Sequence, residues 1–358
     1  MNLNEDMTLS YVPALKKILY NRSTHNSFSV VCEKLSKKYE FINSHEIILT
    51  PSGMAAINLS LRTILIHNKY KKINLIYNEE LYCDSPRLFK YYSEIYDNIN
   101  LYTINILDNE NINNTFEKLK DEINILFIES CSNPNGNIMD YTIIPKLRSL
   151  SKTLYFIVDN TWLSSTIFNP FKYDADIVIS SMSKYYSGGN CIGGALLAKG
   201  ELSNIAFTHA RLTGNHVSLP YCDIIAKQLD LMDERIKKSS EITLNIANFL
   251  NNHEKVVDVN YPLLDKHPSH ILAKQYLNGL GPSVFTLNIK FTSKNKGNKW
   301  LKKSNIIPLE TSFGGKKTKL DPWPIILDNN IFQIRLAIGY NSCEKEIVDE
   351  LNKMLDMV

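Results

Sequence analysis

Several common signatures are missing from this sequence of 358 residues. None of its six cysteines stands in CxxC spacing, so neither a zinc site nor a dithiol redox centre is predicted. A run of about 18 apolar residues, which a membrane-spanning helix needs, does not occur. The polar start MNLNEDMTLS contains no apolar segment of the kind that signal peptides carry. We therefore expect a protein of the reducing cytoplasm that binds neither a metal nor a membrane.

A surplus of basic residues is also lacking, since 40 lysines and arginines stand against 37 aspartates and glutamates. Binding to nucleic acid needs positive charge that is clustered on one surface. The lysine pairs in this chain are short and scattered, which is typical of solvated faces. No GxGxxG follows the first predicted strand, which argues against a nicotinamide cofactor. The expected partner is therefore a small molecule rather than a nucleic acid.

What the sequence does contain is a series of short apolar runs separated by segments long enough for helices. The predicted strands of this series are residues 46–50, 73–77, 100–106, 124–130, 154–160 and 176–181. Continuous apolar runs such as NILFI and LYFIV are typical of strands that are buried on both faces. They predict an α/β fold in which helices cover both faces of a mostly parallel sheet.

The pattern changes after about residue 230. Residues 283–291 and 331–339 alternate like half-exposed strands, and residues 239–251 and 344–357 have helical periodicity. The sequence thus predicts three regions. They are a polar N-terminal arm at residues 1–35, a large α/β domain at residues 36–230 and a smaller C-terminal α+β domain at residues 231–358.

Polar residues follow several of the strands, at the sheet edge where open α/β folds bind ligands. Asp159 ends the strand at 154–160, and Lys184 follows the strand at 176–181 after two serines. Ser52-Gly53 precedes a predicted helix, whose backbone N–H groups favour an anion such as phosphate. An acid and a lysine on neighbouring strands are what a pyridoxal phosphate site needs, because the lysine binds the aldehyde and the acid keeps the pyridine nitrogen protonated.

With these residues in place, ordered motifs along nearly the whole chain resemble the Cys/Met-metabolism family of pyridoxal-phosphate enzymes, which includes cystathionine γ-synthase, cystathionine γ- and β-lyases and methionine γ-lyase. The motifs are Tyr20-Asn21-Arg22, Ser52-Gly53-Met54, LYCDSPRLF at 81–89, ESCSNP at 129–134, VDNTWLS at 158–164, SSMSKY at 180–185, SFGG at 312–315 and IRLAIG at 334–339. The resemblance implies the fold of type I pyridoxal-phosphate enzymes, which is similar to that of aspartate aminotransferase.

The resemblance also implies a role for each matching residue. Lys184 would form the Schiff base and act as the base at Cα, and Asp159 would hold the pyridine nitrogen. The phosphate would be bound by Ser52, Gly53, Met54, Ser181 and Ser183, and also by Tyr20 and Arg22 from the arm of a neighbouring subunit. Tyr82 would stack on the ring and assist proton transfer, and Asn133 would face the ring hydroxyl.

On the substrate side, the resemblance implies that Arg335 binds the α-carboxylate, because its fork pairs both oxygens. Ser312 and Thr311 would lie beside it. The family suggests β- or γ-elimination or γ-replacement on an amino acid of the cystathionine, homoserine or cysteine type, through a Lys184 aldimine and a Cα carbanion. Sharing of the phosphate site implies a homodimer or a homotetramer.

The match departs from the family pattern in the turn that follows Glu310. Members acting at Cγ tend to carry Glu just before the serine of this turn, and β-lyases tend to carry Tyr, whereas this chain has Thr311. A glutamate of the turn is replaced by Lys317. An unusual substrate in a specialised pathway and drift in a housekeeping enzyme both remain open. So do two other functions, a type I aminotransferase or decarboxylase and a non-catalytic protein of the same fold.

Overall fold

A seven-stranded sheet is the centre of the larger part of the computed structural model, which describes residues 25–358. Its strands are β1 (Ile47–Thr50), β2 (Ile73–Asn78), β3 (Ile99–Ile104), β4 (Ile123–Glu129), β5 (Thr153–Asp159), β6 (Ile177–Ser181) and β7 (Gly194–Ala198). Their order across the sheet is β1-β7-β6-β5-β4-β2-β3. Only β7 runs antiparallel to its neighbours, so the predicted mostly parallel sheet is confirmed.

Helices connect these strands and cover the sheet. They are α1 (Asn26–Tyr39), α2 (Gly53–His67), α3 (Asp84–Ile95), α4 (Asn109–Lys118), α5 (Ile144–Leu150), α6 (Ser164–Ile167), α7 (Glu201–Thr213) and α8 (Leu219–Leu229). Short 3₁₀ turns occur at Ser44–Glu46, Tyr141–Ile143 and Pro170–Tyr173. Among residues 25–358, no helix combines the length and the apolar character that crossing a membrane would require.

The central strands have continuous apolar sequences because each of them contributes to two hydrophobic cores. Successive side chains of a strand point to opposite faces of its sheet. Leu126 and Ile128 of β4 therefore pack in one core, whereas Ile125 and Phe127 pack in the other. All seven residues of β4 are buried. The position of this sheet is thus fixed from both sides by apolar packing.

The C-terminal part begins with the long helix α9 (Met232–Asn251) and is built around an antiparallel sheet. Its strands are β8 (Val256–Asn260), β9 (Val284–Lys290), β10 (Lys319–Leu320), β11 (Ile325–Ile326) and β12 (Ile331–Ala337). The remaining helices are α10 (His270–Tyr276), α11 (Lys294–Trp300) and α12 (Glu344–Leu355), and a 3₁₀ turn lies at Asp328–Asn330. This sheet has a third hydrophobic core of its own, which agrees with the predicted change of pattern.

The three predicted regions and their boundaries at residues 35 and 230 remain predictions. Helix α1 extends across the first boundary, and its residues Val31, Leu35 and Tyr39 are buried in a core of the large sheet. Residues 1–24 of the predicted arm lie outside the described part of the chain.

Candidate active site

A cavity of about 340 Å³ lies at one edge of the large sheet, where the parallel strands β1, β4, β5 and β6 have their carboxyl ends. This volume falls in the range of about 300–1,000 Å³ that is usual for small-molecule sites. Residues from both sheets line it: Ser52, Gly53, Met54, Ile57, Tyr82, Glu129, Asn133, Asp159, Thr161, Trp162, Ser181, Ser183, Lys184, Ile192, Thr311, Ser312, Phe313 and Arg335.

Two glycines let the turn after β1 approach the end of β6 closely. A methyl group on Gly53 would lie 2.8 Å from Cβ of Ser181, and one on Gly194 would lie 2.2 Å from the carbonyl oxygen of Ser52. Ser52 caps the 15-residue helix α2, since its hydroxyl oxygen accepts a hydrogen bond from the N–H of Ala55 at 3.1 Å. The hydroxyls of Ser52 and Ser181 thereby lie beside the positive end of a helix, where an anion is favoured.

Lys184 lies in the loop between the neighbouring strands β6 and β7. Its Nζ donates a hydrogen bond to Oγ of Ser312 at 2.7 Å and lies 5.3 Å from the centre of the Phe313 ring. Burial of the amine lowers its pKa to about 8, and the positive charges of Arg335 and Lys319 act in the same direction. About one tenth of this amine is therefore neutral and nucleophilic at pH 7, far more than in an exposed lysine.

Two carboxyl groups lie side by side within this site. Glu129 ends β4 and Asp159 ends β5, and the two residues are directly paired in the parallel register. Burial raises the pKa of Asp159 to about 6, although Thr161 donates hydrogen bonds to its Oδ1 from both its N–H and its hydroxyl. Burial and the neighbouring Asp159 raise the pKa of Glu129 well above its usual value. Both carboxyl groups would be stabilised as anions by a cationic group in the cavity.

Glu129 also connects the loops that carry Tyr82 and Asn133. Its Oε1 accepts a hydrogen bond from the backbone N–H of Tyr82 at 2.6 Å, and its Oε2 accepts one from the N–H of Asn133 at 3.1 Å. The phenol of Tyr82 donates to Asp84 at 3.2 Å, and its pKa is raised by burial and by the charge of Asp84. Tyr82 is thus an uncharged donor at neutral pH.

Arg335 of β12 brings a positive charge to the cavity from the C-terminal sheet. It forms an ion pair with Asp321 and donates to Oγ1 of Thr311 at 3.0 Å and to Oδ1 of Asn133 at 3.3 Å. Thr311 in turn donates to Asp321 at 3.1 Å. The guanidinium therefore links the loop at Thr311 to the end of β4.

The family to which this site belongs follows from comparison with known sequences. The sequence model of a family described as Cys/Met metabolism PLP-dependent enzyme matches residues 12–324. The chain belongs to this family. The expected identification is thereby confirmed, and with it the dependence on pyridoxal phosphate.

Curated relatives of this family member are distant in sequence but similar in length. L-methionine gamma-lyase of Fusobacterium nucleatum subsp. polymorphum is 24% identical over 95% of this chain and 86% of its own length. Cystathionine beta-lyase of Schizosaccharomyces pombe is 25% identical over 96% of this chain and 81% of its own length. The crystal structure of cystathionine gamma synthase from Xanthomonas oryzae pv. oryzae in complex with cystathionine superposes with a TM-score of 0.84, at 23% identity, over 96% of this chain and 88% of the other. This likeness confirms the predicted type I fold.

The residues of this family member fit pyridoxal phosphate. The two glycines let the turn at Ser52 and the end of β6 meet at the start of α2, and serines from both elements line the cavity there, as a phosphate requires. The buried acids Asp159 and Glu129 suit a protonated pyridine nitrogen, and the partly neutral Lys184 suits an aldehyde. All three groups line the same cavity.

The structure brings together all of the predicted site residues that it describes. Those that line the cavity are Ser52, Gly53, Met54, Tyr82, Asn133, Asp159, Ser181, Ser183, Lys184, Thr311, Ser312 and Arg335. The hydroxyl of Ser183 also exchanges hydrogen bonds with the backbone of Gly193, at 3.1 and 3.3 Å. Tyr20 and Arg22 lie outside the described residues, so their assignment to a neighbouring subunit stays a prediction.

Sequence reasoning missed Glu129 and Asp321. Glu129 could have been found, since it ends an apolar run in the same way as Asp159 does one strand later. Asp321 had no comparable signal, because its partners Arg335 and Thr311 are 14 and 10 residues away and meet it only through the fold.

Proposed function

We propose that this protein catalyses elimination or γ-replacement on an amino acid of the cystathionine, homoserine or cysteine type. One observation carries the proposal: the amine of Lys184, with a pKa of about 8, shares a cavity with the buried Asp159 and with Arg335. The relatives named a methionine γ-lyase and a cystathionine β-lyase support chemistry at Cβ or Cγ of a sulfur-containing amino acid.

Pyridoxal phosphate supplies an electron sink that stabilises negative charge at Cα of the bound amino acid. Asp159 would keep this sink effective, because its carboxylate holds a proton on the ring nitrogen. Lys184 would remove the Cα proton once the substrate amine has displaced it, which requires the neutral amine that burial favours. It could return that proton nearer to the leaving group.

The other site residues would bind and orient. We assign the phosphate to Ser52, Gly53, Met54, Ser181 and Ser183, and the ring face to Tyr82. Asn133 is assigned to the ring hydroxyl, and Arg335, with Ser312 and Thr311, is assigned to the substrate α-carboxylate. A bound carboxylate next to Arg335 would place Cα beside the lysine that Ser312 orients at 2.7 Å.

The assembly that we infer is a homodimer or homotetramer in the cytoplasm. Tyr20 and Arg22 would complete the phosphate site of a neighbouring subunit. The family motif that includes them supports this assignment, and the balanced charge of the sequence is consistent with a small amino acid as the partner.

Replacement of Lys184 tests the proposal. We expect Lys184→Ala to lose the visible absorbance of the covalently bound cofactor and all steady-state turnover. Lys72→Ala is the matched control, because Lys72 is exposed and its ion pair among residues 25–358 is with Glu122, at 3.7 Å. Retained turnover in Lys184→Ala would contradict the assignment.

Product analysis separates elimination from transamination. Cystathionine, O-acyl-homoserines, cysteine and methionine would each be incubated with the holoenzyme, and the products would be identified by mass. Elimination releases ammonia and a keto acid without a second substrate, and replacement forms a new thioether only when a thiol is present. Keto acid that forms only when another keto acid accepts the amino group would instead indicate an aminotransferase.

A further inference from the structure

Arg335 already holds an anion that belongs to its own chain. The side chains of Arg335 and Asp321 are 18% and 9% exposed, so water screens their ion pair only weakly. Thr311 completes the arrangement, since it accepts from Nη2 of Arg335 at 3.0 Å and donates to Oδ2 of Asp321 at 3.1 Å. A carboxylate thus lies where the substrate carboxylate of the proposed function would be expected to bind.

The backbone fixes Asp321 in this position. Strands β10 and β12 are paired so that Leu320 lies opposite Leu336, and the N–H of Asp321 then donates to the carbonyl oxygen of Arg335 at 2.9 Å. The other carboxylate oxygen, Oδ1, accepts from the N–H of Trp323 at 3.0 Å. The backbone of Asp321 and one of its two carboxylate oxygens are therefore fixed by neighbouring residues, and this arrangement holds the other oxygen, Oδ2, against Arg335.

The contacts with Asp321, Thr311 and Asn133 leave few N–H bonds of Arg335 free for a ligand. A guanidinium has five N–H bonds, and two parallel ones are needed to pair both oxygens of a carboxylate. Asp321 and Thr311 take both N–H bonds of Nη2, and Asn133 takes one of Nη1. A two-pronged contact through Nη1 and Nη2 therefore requires the ligand to displace Asp321 or Thr311.

We propose that Asp321 is a specificity-determining residue that competes with the substrate α-carboxylate for Arg335. This inference rests on the proposed function, because it takes Arg335 as the carboxylate site. The competition weakens the binding of every ligand that carries an α-carboxylate and leaves the binding of simple amines unchanged, so it sets how strongly the site prefers amino acids to amines. Among amino acids, selection depends on contacts beyond Cα with the cavity wall, which includes Trp162, Ile192 and Phe313.

The test compares an amino acid with the amine that lacks its carboxylate. The ligands are L-norleucine, which has no leaving group, and n-pentylamine, and their dissociation constants are read from the cofactor absorbance of the holoenzyme. Removing one partner of a buried ion pair leaves the other without compensation. We therefore expect Asp321→Asn to bind norleucine about tenfold more tightly and pentylamine within about twofold of the original chain.

Two further variants distinguish competition for Arg335 from a general change in the structure. Asn at 321 keeps an oxygen for the N–H of Trp323, and Asp321→Ser gives a second, shorter replacement with the same expected shift in the ratio of the two constants. Glu310→Gln is the matched control, since Glu310 pairs with Lys319 at 2.7 Å and has no contact with Arg335 among the described residues. It should leave the ratio unchanged.

Arg335→Ala separates failure of this inference from failure of the proposed function. If it leaves norleucine binding intact, Arg335 is not the carboxylate site and the proposed assignment is wrong. If it weakens norleucine alone while both Asp321 variants leave the ratio unchanged, only the competition is wrong. Loss of cofactor absorbance in both Asp321 variants would also overturn the inference, because Asp321 would then serve the fold.

Discussion

Lys184 releases its proton more readily than a lysine in water because its surroundings disfavour the charged amine. Burial is the main cause, and Arg335 and Lys319 add repulsion, which together bring its pKa to about 8. The hydrogen bond to Ser312, at 2.7 Å, fixes the direction in which the amine faces. The residue is therefore prepared for attack on an aldehyde before the cofactor arrives.

A pH profile of cofactor attachment should reveal this pKa. Only the neutral amine attacks, so we expect the rate at which pyridoxal phosphate becomes attached to the cofactor-free protein to rise between about pH 7 and 9 and then level off. An exposed lysine would give a rise nearer pH 10.4. The measurement is the growth of visible absorbance after mixing at each pH.

The same shift has a consequence for stability with a definite sign. Between about pH 8 and 10.5 the folded cofactor-free chain binds fewer protons at Lys184 than the unfolded chain does, so this residue's contribution to the free energy of unfolding increases with pH. Lys184→Met should lack that increase. In the pH profile of cofactor attachment, a rate that rises only above pH 10 would contradict the lowered pKa of Lys184.

At the scale of elements, strand β7 limits how closely the turn at Ser52 can approach β6. Gly194 begins β7 and is paired with Thr50 on one side and Ser181 on the other. A side chain at this position would enter the space occupied by Ser52. Strand β7 therefore lies between the end of β1 and the end of β6, which both contribute to the anion site. Only a glycine fits at position 194, where β7 contacts the turn at Ser52.

Replacing Gly194 with alanine should displace the turn at Ser52. We expect Gly194→Ala to lose roughly 1–3 kcal/mol of the free energy of unfolding, as overpacking usually costs, and to bind pyridoxal phosphate more weakly. Denaturant unfolding and cofactor titration measure the two effects. Gly315→Ala is the control, because a methyl group there would lie 3.8 Å from the carbonyl oxygen of Gly188, an ordinary van der Waals distance. Equal behaviour of the two variants would contradict this role of β7.

The elements also show what can be predicted from sequence. Strands such as β4 and β5 were predictable, because burial on both faces forces an uninterrupted apolar run. Strand β7 was missed, since its five residues follow glycines that are equally typical of a loop. Ser52, Asp159 and Lys184 were predictable because they follow strands, whereas Tyr82, Asn133, Thr311, Ser312 and Arg335 were expected only from the family resemblance. Asp321 was not, because strand pairing with Arg335 is a property of the fold.

At the scale of the whole molecule, the site is assembled from two sheets with separate hydrophobic cores. Lys184 and Ser312 are 128 residues apart, and Arg335 and Asn133 are 202 apart. Neither part of the chain contains the lysine and the arginine together. Binding of an amino acid at both residues would therefore bridge the two parts.

Complementation between inactive subunits tests the proposed sharing of sites. If Arg22 serves the neighbouring subunit, Arg22→Ala and Lys184→Ala should be inactive alone but regain part of the activity when they are produced together. In a mixed dimer, one site then has both its own Lys184 and an intact Arg22 from its neighbour. The measurement is steady-state turnover of the purified mixed assembly.

Two Lys184→Ala chains, or Lys184→Ala with Lys72→Ala in the same chain, provide the background value. Activity that stays at this background in the mixed assembly would contradict the cross-subunit role. A strictly monomeric protein with full activity would contradict it as well.

The loop that carries Lys184 starts from β6 and returns into β7, which are two adjacent interior strands of the large sheet. Such a loop is clamped at both ends, so it has little freedom to follow a moving ligand. Arg335 is held in the same way, because β12 is paired with β9 and β10 in the other sheet. The spacing between the amine and the guanidinium is therefore set by the packing of the two sheets, and a longer or shorter substrate is accommodated by a shift of one sheet against the other.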